Sequence, residues 1–433
     1  MTRYLRERTL YGPMIAEPPP GDLGLVIVIP AKDESDLVEA LRALHACEQP
    51  RGSVEIIVVA NTSETDPPDC ITHNAQMAEN AANWAVNHSR PGLLTYVLQC
   101  HDLPKKYAGV GLARKIGMDE ACLRLETVGN PGGVIVCFDA DSLCDPNYLV
   151  ELASLFHRND GCQACSIYFE HPLGGSGFPP AIYEAIALYE LHLRYFVHAQ
   201  RFAGFPFATQ TVGSSMAVRC SSYQQQNGMN RRKAGEDFYF LHKFTPLGHV
   251  AELNTTRVIP SPRTSHRVPF GTGKAVGEIL GSGGTYTTYS PKSFEDLRGL
   301  FQTVDSLFDA PDRQRYTDAL PENVASYISG LPFWERVEEI RSNVAAPPAF
   351  RTRFFRWFNA FLIMKYLHHA RDHACPDEEI TSAARWLLTK AHNLDQEDVA
   401  PLDAAALLGI YRTIDRSNPV RLPGRVGSFS TRE

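Results

Sequence analysis

The sequence predicts an α/β fold: a mainly parallel sheet flanked by helices, followed by a helical C-terminal appendage. Three observations predict it. Unbroken apolar runs rich in β-branched residues alternate with amphipathic stretches from Leu25 onward, as in repeated strand–helix units. Four such units fall before residue 150. From about residue 292 the periodicity is helical only.

The elements follow in order. Leu25-Val26-Ile27-Val28-Ile29 has the continuous pattern of a strand covered on both faces, and Pro30 closes it. Ser35 is expected to cap a helix whose Leu37, Val38, Leu41 and Leu44 share one face. Val54-Glu55-Ile56-Ile57-Val58-Val59, Leu93-Leu94-Thr95-Tyr96-Val97-Leu98 and Val134-Ile135-Val136-Cys137-Phe138 repeat the strand pattern. After about residue 160 the alternation is less regular, with a helix expected over Ala181 to Gln200 and an apolar run at Ser215-Met216-Ala217-Val218. Thr264 to Thr285 is Gly-rich and aperiodic, and is expected to be a mobile loop.

Composition narrows the function. The chain has 433 residues, 44% hydrophobic and 21% charged, which suits a globular protein with a sizeable core. Lys+Arg 42 against Asp+Glu 49 gives a net charge of −7, which demotes nucleic acid as a partner. No run of about 18 apolar residues marks a membrane span, and the N-terminal residues lack the apolar stretch of a secretory signal. The 10 Cys are scattered as buried free thiols would be, so a cytoplasmic location is expected. Cys162-Gln163-Ala164-Cys165 has no second pair to complete a zinc site.

Parallel sheets bind ligands beyond the carboxyl ends of their strands. Those positions hold Ala31-Lys32-Asp33-Glu34, Asn61 to Asp66, and Asp139-Ala140-Asp141-Ser142. Asp139 and Asp141 end a buried run with one small residue between them. Hard oxygens at this spacing suit Mg2+ or Mn2+ on a diphosphate; alternatively Asp141 and Ser142 cap the next helix.

The ordered set Val28-Ile29-Pro30-Ala31-Lys32-Asp33-Glu34, Val58-Val59-Ala60-Asn61-Thr62-Ser63, Ala113-Arg114-Lys115-Ile116-Gly117, Phe138-Asp139-Ala140-Asp141 and Gly235-Glu236-Asp237 resembles the family 2 glycosyltransferases with the GT-A fold. The resemblance spans roughly residues 24 to 270. It implies an N-terminal tail over 1–23, a GT-A domain over 24–275, and a lid segment with a helical region over 276–433. It also implies transfer of a sugar from a UDP- or GDP-linked donor to a hydroxyl acceptor.

By the same resemblance, Pro30, Ala31 and Glu34 face the nucleotide. Asn61 stands where the family usually has an Asp that reads the base, and an amide can pair with uracil or guanine edges. Arg114 would meet the diphosphate or base, Asp139 and Asp141 the metal, with Ala140 between them. Asp237 would be the base and Glu236 would hold sugar or acceptor hydroxyls; both also suit the positive end of a helix. Gly213 would lie in a small-residue turn against the donor sugar. His266 would be a third metal ligand, and Arg263 or Arg267 would meet the diphosphate. Gly271-Thr272-Gly273-Lys274 lacks P-loop spacing and is read as part of a lid.

Inversion with Asp237 as base is the expected outcome. Enzymes with a similar first half that glycosylate glycerate or phosphoglycerate retain configuration. A sugar nucleotidyltransferase ranks lower because Ala31-Lys32-Asp33-Glu34 is short and acidic, unlike a triphosphate-binding loop. A non-catalytic sugar-nucleotide binder would not require Glu236 and Asp237. His369 and His373 lie one helical turn apart without an obvious third ligand. The basic, aromatic stretch Arg351 to Tyr366 is read as a core helix of the appendage, with peripheral membrane contact as the other reading.

Overall fold

The computed structural model describes residues 1–265 and 271–422. Its strands are β1 (Leu23–Ala31), β2 (Ser53–Ser63), β3 (Leu93–Leu103), β4 (Val134–Cys137), β5 (Leu143–Cys144), β6 (Ala164–Phe169), β7 (Met216–Arg219), β8 (Val250–Ile259), β9 (Thr287–Thr288), β10 (Glu378–Glu379) and β11 (Val420–Arg421). The central sheet runs β11-β8-β6-β7-β4-β1-β2-β3. β4, β1, β2 and β3 are parallel neighbours, while β7 lies antiparallel between β4 and β6. The four expected strands are thus present, each longer than or close to its apolar run.

The first helices are α1 (Arg3–Glu7), α2 (Leu37–His45), α3 (Pro68–His88), α4 (Val110–Thr127) and α5 (Tyr148–Arg158). α2 starts one residue later than a Ser35 cap requires: Asp36 is the N-cap, and Ser35 Oγ donates to its carboxylate at 3.0 Å. α4 is buried almost all round and packs on β1 and β2. Gly117 makes that approach feasible, because a Cβ there would run into Val28 and Val59.

Polar side chains on α4 are satisfied by the first residues of the chain. Tyr4 Oη donates to Asp119 at 2.7 Å, and Glu120 accepts the N–H groups of Met14 and Ile15 at 3.0 and 3.3 Å. Arg124 forms a two-pronged pair with Glu55 at 2.5 and 2.6 Å and also donates to the Glu17 carbonyl at 3.0 Å. The N-terminal segment is therefore packed over the helix that carries Arg114.

The next helices are α6 (Pro180–Ala203), α7 (Cys220–Gln225), α8 (Glu236–Leu241) and α9 (Thr272–Gly281). α9 corrects the expectation of a loop through Thr285. Its Val276 and Ile279 pack with Ala185 and Ile186 of α6, and this burial outweighs the low helix propensity of its glycines. The Gly271 to Lys274 stretch is the start of this helix.

The C-terminal region contributes α10 (Pro291–Gln302), α11 (Arg313–Asp318), α12 (Glu322–Ser329), α13 (Phe333–Ser342), α14 (Pro347–Trp357), α15 (Ala360–His373), α16 (Ile380–His392), α17 (Gln396–Val399) and α18 (Ala404–Arg416). One correction applies to its all-helical reading: β9 pairs with β10, and β11 adds an antiparallel edge strand to β8. Phe350, Phe354, Phe355 and Phe358 are buried in one cluster with Tyr195, Phe205 and Phe207, so the Arg351 to Tyr366 stretch supplies core.

A buried ion network ties α18 to α6. Glu190 pairs with Arg194 at 2.8 Å and Arg412 at 2.7 Å. Asp415 pairs with Arg194 and lies 2.8 Å from His198 Nε2. Burial alone would raise both carboxyls, but the Arg194 charge on Glu190 and the His198 contact on Asp415 lead the groups that hold them well below the usual range.

Candidate active site

The chain winds outward from β1 through β2 to β3, then returns so that β4 lies on the other side of β1. The carboxyl ends of β1 and β4 therefore flank a topological switch point, where parallel sheets leave a crevice. Pro30, Ala31 and Glu34 lie at one end and Asp139, Ala140 and Asp141 at the other. α5 begins only at Tyr148 with Asn147 as its N-cap, so Asp141 and Ser142 do not cap it.

Arg114 reaches this crevice from the second turn of α4. It is only 3% exposed. Its Nη2 donates to Asp139 Oδ1 at 2.5 Å and its Nη1 to Glu236 Oε1. Burial would lower the guanidinium pKa, but Asp139 and Glu236 hold it well above the ordinary value. Its Nε is buried without a hydrogen-bond partner among the described residues. Gly213 lies against the guanidinium, and a Cβ there would sit 2.5 Å from Nη1. Arg114 is therefore a buried residue of α4 and not part of its surface.

Glu236 and Asp237 open α8, and their roles differ. Glu236 is buried against Arg114, whereas Asp237 is half-buried and accepts the N–H of Phe238 at 2.7 Å. Burial, then the Glu236 charge, pushes Asp237 up to about 7, and Arg114 opposes the shift. A carboxyl at that value is ionised often enough near neutrality to accept a proton and basic enough to hold it.

Arg263 spans the other carboxylates. It donates to Glu34 at 2.6 and 2.8 Å and to Asp141 Oδ2 at 2.8 Å. Burial pushes Asp141 up to about 6 even though Arg263 opposes it, with Asp139 and Glu34 adding to the rise. The donors fit a divalent ion: they are hard oxygens, they crowd one another, and a guanidinium already balances them. No group of three His, Cys, Asp or Glu that could hold a metal occurs among the described residues. His266 and Arg267 lie outside the described residues.

Asn61 is buried at the end of β2. Beside it Lys32 and Asp66, which the sequence reading did not single out, join the loops after β1 and β2 at 2.7 Å. Burial raises the Asp66 carboxyl, but Lys32 and the Ser63 N–H outweigh it and leave it lowered. Tyr189, His192 and Phe196 form a half-buried stripe on α6. Burial raises the Tyr189 phenol, with Tyr286 and then the Asp237 charge adding to the rise, and burial lowers His192 to about 4. Their spacing of three and four residues was the only sequence signal for this stripe.

The other candidates stay bland. Cys162 and Cys165 are buried free thiols. His369 and His373 stack at 4.3 Å and belong to no described group of three metal-type ligands. No helix among the described residues is long and apolar enough to cross a membrane.

No family model matches the chain, and no curated protein does. Among solved structures it is similar to S. aureus TarS 1-349 in complex with UDP-GlcNAc, at 16% identity over 91% of each chain with a TM-score of 0.38. It is also similar to the mannosyltransferase PcManGT from Pyrobaculum calidifontis in complex with GDP-Man and Mn2+. That match has 14% identity over 96% of this chain and 92% of the other, with a TM-score of 0.34. At these scores the functional reading rests on the residues of the site.

Proposed function

We propose that the chain is a glycosyltransferase that moves a sugar from a nucleoside-diphosphate donor to a hydroxyl acceptor, with inversion. The observation that carries this reading is Asp237: a half-buried carboxyl raised to about 7, beside the Arg114 guanidinium that binds Asp139 and Glu236.

In this reading Asp237 accepts the acceptor's hydroxyl proton as that oxygen attacks the anomeric carbon. The bond from that carbon to the diphosphate oxygen breaks, and its electron pair leaves with the diphosphate. Asp139 and Asp141 would hold Mg2+ or Mn2+, which supplies positive charge to the leaving group. Arg114 fixes Asp139 and Glu236 relative to each other through its two Nη groups. Arg263 is free to exchange its carboxylates for diphosphate oxygens. Asn61 reads the base from the end of β2, and Glu236 keeps the sugar oriented.

Thermal stability with UDP, GDP, CDP, TDP and ADP, each with and without Mn2+, tests the reading. One diphosphate should raise the melting temperature only with metal, and Asp141→Asn should abolish the shift; ligand at about a hundred times its Kd adds roughly 2.7 kcal/mol. Absence of any metal-dependent shift would remove the donor site from the proposal.

A further inference from the structure

The segment leading into α8 carries Arg231, Arg232 and Lys233 in succession, all exposed. Lys106, also exposed, meets them from the loop before α4: its Nζ lies 5.1 Å and the Arg231 guanidinium 4.4 Å from the centroid of the same Tyr107 ring. Arg232 stacks at 3.7 Å on Tyr239, two residues beyond Asp237. Lys233 lies against Gly109, where a Cβ would be 3.1 Å from its Cα. None of the four cations has a described carboxylate within ion-pair distance, although neighbouring Lys105 donates its backbone N–H to Glu64 at 2.8 Å.

Four like charges gathered on one rim repel one another, and the chain as a whole is acidic at −7. Both guanidiniums are nonetheless held in place by aromatic faces. The segment itself is pinned: Asn230 Nδ2 donates to the Glu236 carbonyl at 3.1 Å, and Asn230 Oδ1 accepts the Arg232 N–H at 3.1 Å. The rim also borders the N-terminus of α4, whose N-cap Gly109 offers no side chain and whose first turn has no acidic residue. A fixed positive rim is therefore built onto the helix that presents Asp237.

We infer that the acceptor bears a phosphate group, which Lys106, Arg231, Arg232 and Lys233 hold while its hydroxyl meets Asp237. This rests on the transferase reading and supplies its acceptor class. Forked guanidiniums match phosphate oxygens, and a patch of this size fits one or two phosphates better than an extended polyanion. In the transferase reading the donor diphosphate would have its own place at Arg263 and at the metal that Asp139 and Asp141 would hold.

The test uses calorimetry on the full chain, with glycerol 3-phosphate, glycerol, and UDP or GDP plus Mn2+ as probes. The proteins are wild type, the triple variant Arg231→Gln/Arg232→Gln/Lys233→Gln, and Asp141→Asn. The wild type should bind glycerol 3-phosphate but not glycerol, even with a nucleoside diphosphate at saturation. The triple variant should bind the phosphate ester about tenfold more weakly while nucleotide affinity changes less than about twofold, and Asp141→Asn should do the converse. A melting curve confirms folding, and the three replaced side chains are exposed.

Equal loss of phosphate ester and nucleotide in the triple variant would assign the rim to the donor and overturn the inference. Unchanged or absent phosphate binding would also overturn it. So would binding of phosphatidylglycerol vesicles that depends on the three cations without binding of the free ester. If no nucleoside diphosphate binds any of the proteins but ester binding still depends on the rim, the anion site stands and the transferase reading falls.

Discussion

Gly213 is packed directly onto the guanidinium of Arg114, with no room for a Cβ between the turn before β7 and the planar cation. Gly213→Ala should push Arg114 off Asp139 and Glu236. We expect a stability loss of about 1–3 kcal/mol and loss of transfer. Denaturant unfolding and a donor-turnover assay check this; a fully active, fully stable variant would show that the guanidinium can shift without consequence.

Arg114 itself holds two acidic groups. Arg114→Ala leaves Glu236 buried without its cation and should cost about 3–5 kcal/mol, the cost of breaking a buried pair by removing one partner. Arg114→Lys keeps the charge but cannot reach both carboxylates with one fork, so stability should recover more than activity. Equal recovery of the two would contradict a positioning role.

The rate of transfer should rise with pH through about 7, because Asp237 accepts a proton only when ionised and its value is raised to about 7. Below that pH the rate falls as the carboxyl protonates. Asp237→Asn should remove transfer and leave nucleotide binding largely intact. Loss of donor affinity equal to the loss of rate would sink the base assignment.

Stability should fall with acid in two stages. Burial lowers His192, His242 and His392 to about 4 in the folded state, below their ordinary value near 6.5. Depressed groups contribute stability above their unfolded pKa, so this contribution erodes as pH falls from about 6.5 towards about 4. Glu190 and Asp415, held below the usual carboxylate range, withdraw theirs only at still lower pH. Urea midpoints measured from pH 7.5 to 3 would reveal the stages; a flat profile between pH 7 and 5 would contradict the histidine contribution.

Arg263→Gln removes the cation shared by Glu34 and Asp141. Under the proposed function, Mn2+ should then bind more tightly without nucleotide, because no guanidinium competes for Asp141. Nucleoside diphosphate should bind less tightly. Titration of free Mn2+ by electron paramagnetic resonance measures the first effect, and unchanged metal affinity would refute the competition.

Much of the site's chemistry was legible locally. A buried strand leaves its polar sequel at its carboxyl end, so Ala31 to Glu34 and Asp139 to Asp141 could be read from hydrophobic pattern alone. Local pattern failed where packing overrode it. The Gly-rich segment after Thr264 contains α9 because Val276 and Ile279 find α6. The pairing of Lys32 with Asp66 was missed although both lie in the strand-end stretches, because it exists only once β1 and β2 lie side by side.

The sequence by itself determined the parallel strands, their polar ends and the residue types available for metal and proton chemistry, because periodicity and strand termination are short-range properties. Tertiary structure alone decided that β4 returns beside β1, that Arg114 is buried between Asp139 and Glu236, and that Arg263 closes on Glu34 and Asp141. Strand order and buried ion pairing depend on groups more than a hundred residues apart meeting in a medium of low dielectric. That meeting separates Glu236, fixed by a cation, from Asp237, left half-open with its proton affinity raised.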